Sequence, residues 1–383
     1  MKWGRNAMAI EKLTDLCTIQ YGYAFDSNKF SDDSSYLPLI RIRDVKRGYS
    51  ETYYSGDYPE EYIIHDGDLL VGMDGEFNIA RWHGGDALLN QRVCKISAKA
   101  GVNEEYLRYA LSLILKKIEG RTSFVTVKHL SAKELNKVEL NVTDKVNQNL
   151  EAGVLKACER IKDTRQSEMD ELDTLIKARF VELFGDPINN PMNWDTDSVE
   201  ALCDNIYGGG TPSKSHPEYY ENGNIPWISS KDMKTDIIYD SQIHINQLGV
   251  DNSTAQMVPE NSVIMVIRSG ILKHTLPVAV NAVPVTVNQD LKVFIPSERL
   301  LTKFMAVQFK ILEKDILSGV RAVTADNIEF NSLKRRKLIV PPIEKQRRYV
   351  DFISHVDKSK SVVQKSLDET QVLFDSLMQK YFG

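Results

Sequence analysis

The octapeptide DLCTIQYG, Asp15–Gly22, returns later in the chain as ALCDNIYG, Ala201–Gly208. LPLIRIRDVK (Leu37–Lys46) matches IPWISSKDMK (Ile225–Lys234), and DGDLLVGMDG (Asp66–Gly75) resembles ENSVIMVIRSG (Glu260–Gly270). LLNQRVCKI (Leu88–Ile96) resembles TVNQDLKVF (Thr286–Phe294), and KVELNV (Lys137–Val142) matches KLIVPP (Lys337–Pro342). One short match would be coincidence. Five in the same order, with an offset drifting from 186 to 200, indicate two copies of one domain carrying different loops. Each copy reads as short β-rich runs broken by Gly, Pro, Asn and Asp, with a helical stretch at Glu104–Glu119 and Leu300–Leu317. The expected fold class is mixed α/β (α+β), organised as a pseudo-two-fold internal repeat.

A segment of another kind follows each copy. Asp144–Phe184 has no proline and one glycine, and Ile343–Phe382 has neither. Gly185 and Gly383 follow them, and Asp186-Pro187 marks a sharp stop for the first. In the second, Ile353, Val356, Lys360, Val363, Leu367, Thr370, Phe374, Leu377 and Tyr381 step alternately by three and four. Shifted by 198, the first offers Leu155, Cys158, Lys162, Arg165, Met169, Leu172, Ile176, Arg179 and Leu183. Both are heptad seams with polar interruptions, and Lys162 recurs as Lys360. A helix of about 40 residues is about 60 Å long and cannot bury its stripe alone. Two long helices forming an antiparallel coiled coil are therefore expected, the alternative being a helix packed only on its own domain.

The chain has 383 residues, too many for one ordinary domain, and its 42% hydrophobic and 26% charged content is that of a folded protein. Its net charge of −5 gives no global basic field. The longest clearly apolar run, Val263–Ile267, is far short of the roughly 20 residues a membrane span needs. MKWGRNAMAIEKL has no apolar core of a signal peptide, and the four cysteines (Cys17, Cys94, Cys158, Cys203) form no CxxC. A reduced, cytoplasmic, multidomain protein is expected.

Catalytic patterns are absent. GGGTPSKS (Gly208–Ser215) misses the phosphate loop because Ser213 stands where the second glycine is needed and Pro212 has no N–H. The histidines form no HExxH, and no GxSxG occurs. DPIN at Asp186 and VPPI at Val340 are incomplete versions of the loop that holds a base amino group in amino-methyltransferases. Local charge is more informative. Gly319–Val350 holds eight Lys/Arg against three acids, a net of +5. Arg41, Arg43, Lys46 and Arg47 bunch in copy one, as do Lys116, Lys117, Arg121, Lys128 and His129; Arg268, Lys273 and His274 flank a glycine loop in copy two, with Arg81 a loose counterpart. A repeated scaffold with different basic loops is what reading two half-sites on a duplex requires. Solvated surface charge is the alternative for any one of them. Asn90-Gln91 and Asn288-Gln289 either read adenine edges or satisfy backbone groups. Trp227 and Tyr53, Tyr54, Tyr58 and Tyr62 read as packing residues.

The residues resemble a known family. GGTPSKSHPEYYENGNIPWISSKDM (Gly209–Met233) resembles the opening of a target recognition domain from the specificity (S) subunit of type I restriction–modification enzymes. YGYAF with LPLIRIRDV (Tyr21–Val45) is similar to another version of that opening. LDTLIKARFVELFGDP (Leu172–Pro187) resembles the family's central spacer, and LKRRKLIVPPIEKQRRYVDFI (Leu333–Ile353) its transition from recognition domain to helix. TDKVNQ in copy one departs from the PPIEKQ of copy two. The resemblance implies residues 1–143 as the first recognition domain, 144–185 as a central spacer helix, 186–342 as the second recognition domain and 343–383 as a second spacer helix.

It further implies a chain without a catalytic centre that selects a bipartite double-stranded DNA site, each domain reading one half. Two modification subunits would bind the helices and methylate adenine with S-adenosylmethionine, and restriction subunits would add ATP- and Mg-dependent translocation and cleavage. This chain itself would hold no cofactor or metal. Loops at Met73–Trp82, Thr122–His129, Arg268–His274 and Arg321–Asn327 are expected to face DNA. The candidate contacts are Arg43, Lys46, Arg81, Lys128, Ser213, Lys214, Lys231, Arg268, Lys273, His274 and Arg321. Leu175, Phe180, Val362 and Leu373 lie off the seam and are expected under helices of the modification subunits. Two other readings stand beside this one: the specificity chain of a type IIB-like system, and a coiled-coil adaptor that never touches DNA.

Overall fold

The computed structural model describes residues 9–121, 128–319, 321–322 and 326–383, with the backbone alone at 321, 322 and 326. It divides into two units: residues up to Gln166 together with Lys365–Gly383, and Ser167–Gln364.

The first unit is built on two small sheets. One is antiparallel in the order Cys17–Tyr21, Val93–Ala98, Leu69–Gly72, Ile79–Arg81. In the other, Leu37–Ile40 runs parallel to Ala87–Leu89, which pairs antiparallel with Ile63–Ile64. A third pairing joins Ala9–Lys12 to Glu139–Val142. The second unit repeats each step: Cys203–Gly208, Leu291–Pro296, Val263–Val266 and Val278–Asn281 in one sheet, and in the other Ile225–Ile228 parallel to Val285–Val287, which pairs antiparallel with Met257–Val258. Thr196–Ser198 pairs with Lys337–Ile339. Central strands such as Val263–Val266 are buried on both faces, so they read as continuous apolar runs rather than alternation. Ile237–Ile238 adds a strand to the second unit's first sheet.

The pairing refines the opening repeat. Cys17 lies opposite Ala98 and Cys203 opposite Pro296, so the two cysteines correspond. Beyond them the register shifts between Cys203 and Asn205, a bulge that inserts one residue. Tyr21 therefore corresponds to Gly208, and Gly22 to Gly209. Burial pushes the Cys17 thiol up to about 11 and those of Cys94 and Cys203 up to about 12, as befits small interior side chains.

The long helices span Lys145–Phe184 and Ile343–Phe382. Their starts are equivalent despite the sequence difference there. Gln148 accepts from the Asn103 N–H (2.8 Å) and donates to the Thr143 carbonyl; Gln346 does the same with Leu301 (2.9 Å) and Pro341. Glu159 and its counterpart Asp357 take ion pairs from the overlying domains, Arg108 at 2.6 Å and Lys303 at 2.8 Å.

Within the first unit, Ala152, Leu155 and Cys158 share a core with Phe374, Leu377, Met378, Tyr381 and Phe382, and the Lys162 ammonium lies 5.1 Å from the Phe374 ring centre. Within the second, Leu172, Ile176 and Leu183 share one with Tyr349, Ile353 and Val356, and the Tyr349 hydroxyl donates to the Ile176 carbonyl (2.7 Å). In both, advancing along one helix means retreating along the other, so the helices pair antiparallel. Phe180 corrects an expectation: its side chain is 0% exposed, against Phe184, Phe304 and Tyr349. The second domain's helix Thr302–Ile311 covers that face of the long helix, so a residue off the heptad seam is still interior. Leu175, Val362 and Leu373 are 46%, 70% and 51% exposed. No helix among the described residues is long and apolar enough to cross a membrane.

Lys360, the polar seam position, is neutralised locally. Its ammonium meets Asp173 at 2.7 Å and Asp236 at 3.2 Å, and Lys310 also pairs with Asp236. Burial opposes ionisation of Asp236, yet Lys310 and Lys360 outweigh it and hold its carboxyl below the ordinary value. A depressed carboxylate stabilises the fold above its unfolded pKa and ceases to as pH falls through the folded one. Breaking a fully buried pair costs about 3–5 kcal/mol. With Asp236 40% exposed, Asp236→Asn should cost only about 1–2 kcal/mol near neutrality. Thermal melting of both proteins should show the difference at pH 7 and its loss as pH falls below the ordinary value of 3.8.

Candidate nucleic-acid interface

In both units the candidate residues gather where the central strand of the antiparallel sheet ends. In the second unit, Ile267 and Arg268 follow the strand Val263–Val266, and their N–H groups donate to the Asp290 carbonyl at 2.9 and 3.2 Å. The Arg268 guanidinium meets the Asp290 carboxylate through Nε (2.7 Å) and an Nη (2.6 Å). Asn288 fixes that carboxylate: its amide donates to Asp290 Oδ2 at 3.3 Å while its carbonyl accepts from the Asp290 N–H. Asn288 is buried, so here the recurring amide shapes a turn. Asn90 likewise accepts from the Gln91 N–H (2.8 Å).

Three other candidates converge on this turn. The Asn288 N–H donates to the Ile228 carbonyl (2.9 Å), which brings the next turn, Ser229–Asp232 with exposed Lys231, alongside. Thr211 donates to the Gln289 side chain and tethers the exposed loop that carries Ser213 and Lys214. That loop is pinned from beneath, because Trp227 Nε1 donates to the Gly210 carbonyl (3.0 Å) and the Tyr220 hydroxyl to that of Pro212 (2.6 Å). It also needs Gly209, where a Cβ would stand 1.8 Å from the Val287 carbonyl oxygen. Gly22 is equally confined, 2.0 Å from that of Asn90. Either glycine replaced by Ala should lower stability by about 3 kcal/mol, visible in thermal melting. Unchanged melting would mean that the backbone yields freely.

Beyond Arg268, a short turn of helix (Gly270–Lys273) is held by buried Leu272 and by Ser269, which accepts from the Ile271 N–H. Lys273 and His274 sit on its exposed side. Arg268 also bridges Asn327, and the backbone of Arg321 pairs with Asn327. The Arg321 side chain and residues 323–325 lie outside the described residues, as do residues 122–127 of the other expected loop.

In the first unit, Met73 and Asp74 follow Leu69–Gly72, and the Met73 N–H donates to the Arg92 carbonyl (2.9 Å). Arg92 Nε lies 3.3 Å from Asp74 Oδ2, and His129 pairs with the same carboxylate. Lys128 accepts from the Gly75 N–H through its carbonyl and pairs with Glu119 at 3.0 Å through its ammonium. Arg43 and Lys46 lie exposed on the helix Ile42–Arg47, and Ile42 lies against Gly72. Asp44 accepts from the Arg41 N–H as Asp232 does from that of Ser229, both at 2.9 Å, so Arg43 and Lys231 occupy equivalent places.

Arg81 does not join them. It donates to Gly67 (2.7 Å) and Glu104 (3.0 Å) and pairs with Glu105, fastening the helix Glu104–Arg121 to the sheet. The true counterpart of Arg268 is Asp74, and that of Asp290 is Arg92. Sequence reading places Asp74 in a DNA-facing loop without singling it out, and misses Arg92 and Asp290. Their signal lay in the aligned repeats, where NQR faces NQD and MDG faces IRSG. A pattern of basic residues alone passes over an acid at an equivalent place.

The family model described as the type I restriction modification DNA specificity domain matches residues 7–172 and again 191–370. The chain is 26% identical over 412 aligned positions to the type I restriction enzyme EcoBI specificity subunit of Escherichia coli, covering 97% of this chain and 84% of that one. It is 39% identical over 153 residues to the EcoR124I/EcoR124II specificity subunit of the same organism, covering 39% of this chain and 38% of that one. The S subunit of a type I restriction–modification system from M. genitalium shares the fold, with a TM-score of 0.57 at 14% identity, covering 100% and 98% of the two chains.

Proposed function

The chain belongs to the type I restriction–modification DNA specificity family, and from that membership we propose that it selects a bipartite DNA site, its two recognition domains each reading one half. The observation that carries this reading is the contrast between a repeated framework and unrepeated residues at equivalent strand ends. A framework that repeats presents two surfaces of the same shape. Different side chains on those surfaces give two different sequence preferences, because base edges are distinguished by donor and acceptor pattern.

The chain supplies selection and leaves chemistry to others. Two modification subunits cover the exposed apolar residues of the long helices, Leu175, Val362 and Leu373, and methylate adenine with S-adenosylmethionine. Restriction subunits bring ATP- and Mg-dependent translocation and cleavage. A net charge of −5 fits this division, since the phosphate grip then comes largely from partners. The test is a gel shift on DNA carrying the methylated site, with and without the modification subunit. Tight, site-specific binding is expected only with it. A purified chain that is soluble, monomeric and tightly site-specific alone would contradict the partner requirement; no DNA binding in either case would favour an adaptor.

A further inference from the structure

The ion pair at the strand ends is present in both units with its charges exchanged. Position for position, Asp74 stands where Arg268 does, and Arg92 where Asp290 does. The backbone frame is shared: the Met73 and Ile267 N–H groups donate to the Arg92 and Asp290 carbonyls, both at 2.9 Å, and Leu130 and Ile328 donate to the Met73 and Ile267 carbonyls. Asp74 bridges His129 as Arg268 bridges Asn327. In each unit the guanidinium is the exposed partner, at 50% for Arg92 and 48% for Arg268, with the carboxylate behind it at 20% and 26%.

Arginine's reach makes the guanidinium the outer member in either arrangement, so the exchange keeps one guanidinium at this face of each unit. A carboxylate at one edge of a guanidinium orients it and leaves donors on Nη for another acceptor pair. That acceptor pair is matched by the O6 and N7 edge of guanine in the major groove. Resting on the DNA-reading function above, we infer that Arg92 and Arg268 each read a guanine, one in either half-site, with Asp74 and Asp290 as positioning residues. The exchange moves the guanidinium from the end of one strand to the start of its neighbour. Two similar domains thereby place the same reading group at different points along the duplex.

The experiment uses the full chain expressed with its modification subunit, with the methylated motif read genome-wide and methylation rates measured on duplexes carrying G·C or A·T at each position. The natural chain should prefer G·C at one position in each half by roughly 5- to 150-fold. Arg92→Ala should abolish that preference in one half only, and Arg268→Ala in the other only. The double variant Asp74→Arg with Arg92→Asp rebuilds the arginine–carboxylate pair while giving up the His129 contact to Asp74; it should still fold and melt cooperatively, yet lose the original preference at that position. Recovery of the original motif by this exchange would reduce the pair to a structural clasp and overturn the inference. So would a half-site without a G·C pair, or equal loss in both halves from either single variant. If the natural chain with its partner marks no bipartite site, the wider reading fails before any variant is measured.

Discussion

Phe180→Ala should destabilise the second unit by about 3–5 kcal/mol, while Leu175→Asp, five residues earlier on the same helix, should leave melting within about 0.5 kcal/mol. Phe180 is 0% exposed, with ring centres at 5.1 Å from Phe184, 5.3 Å from Phe304 and 5.6 Å from Tyr349. Truncation removes one member of that cluster and leaves a cavity that the two packed helices cannot close without moving. Leu175 is 46% exposed and has far less packing to lose. Its effect should appear elsewhere, as weaker association with the modification subunit in a pull-down or by ultracentrifugation. A large loss of stability from Leu175→Asp, or unaltered association, would remove this residue from the proposed partner surface. A mild effect of Phe180→Ala would mean that the helix and the recognition domain are not one core.

The second large effect concerns the gap between half-sites. Four residues inserted between Glu168 and Met169, with four more opposite them between Ser366 and Leu367, add about one turn to both helices, roughly 6 Å. A coiled coil absorbs four residues as a stutter, so the seam need not collapse. Duplex DNA rises about 3.4 Å per base pair, so the unspecified spacer should lengthen by roughly one or two pairs. Neither half-site should change, because no residue near Asp74–Arg92 or Arg268–Asp290 has been touched. The methylated motif of the insertion variant gives the answer. An unchanged spacer with full activity would show that the helices do not set the gap, and altered half-sites would show that they help to read sequence.

What the sequence disclosed follows from what the fold holds constant. Val263–Val266 must be buried on both faces and Leu69–Gly72 likewise, so the apolar framework survives duplication and betrays it. The helices were legible because heptad spacing repeats, down to the shared lysine. A seam argument leaves Phe180 outside because it considers only the other helix, whereas the recognition domain packs on the same helix from a second direction. Arg81 differs for a related reason: a charge in a loop-rich stretch says nothing of Glu104 and Glu105 across the sheet. The bulge after Cys203 was hidden because a single inserted residue leaves the local match nearly as good. The exchanged pairs were visible only as a pair of aligned opposites, which mean little until the backbone shows that the positions touch.

The central claim, one repeat for one half-site, is tested most directly by a chimaera. Residues 191–340 would be replaced by the corresponding segment of a relative with a different target, and the chain expressed with its modification subunit. The methylated motif should keep one half-site unchanged, adopt the donor's sequence in the other, and retain the original spacer. A motif altered in both halves, or in neither, would contradict the account.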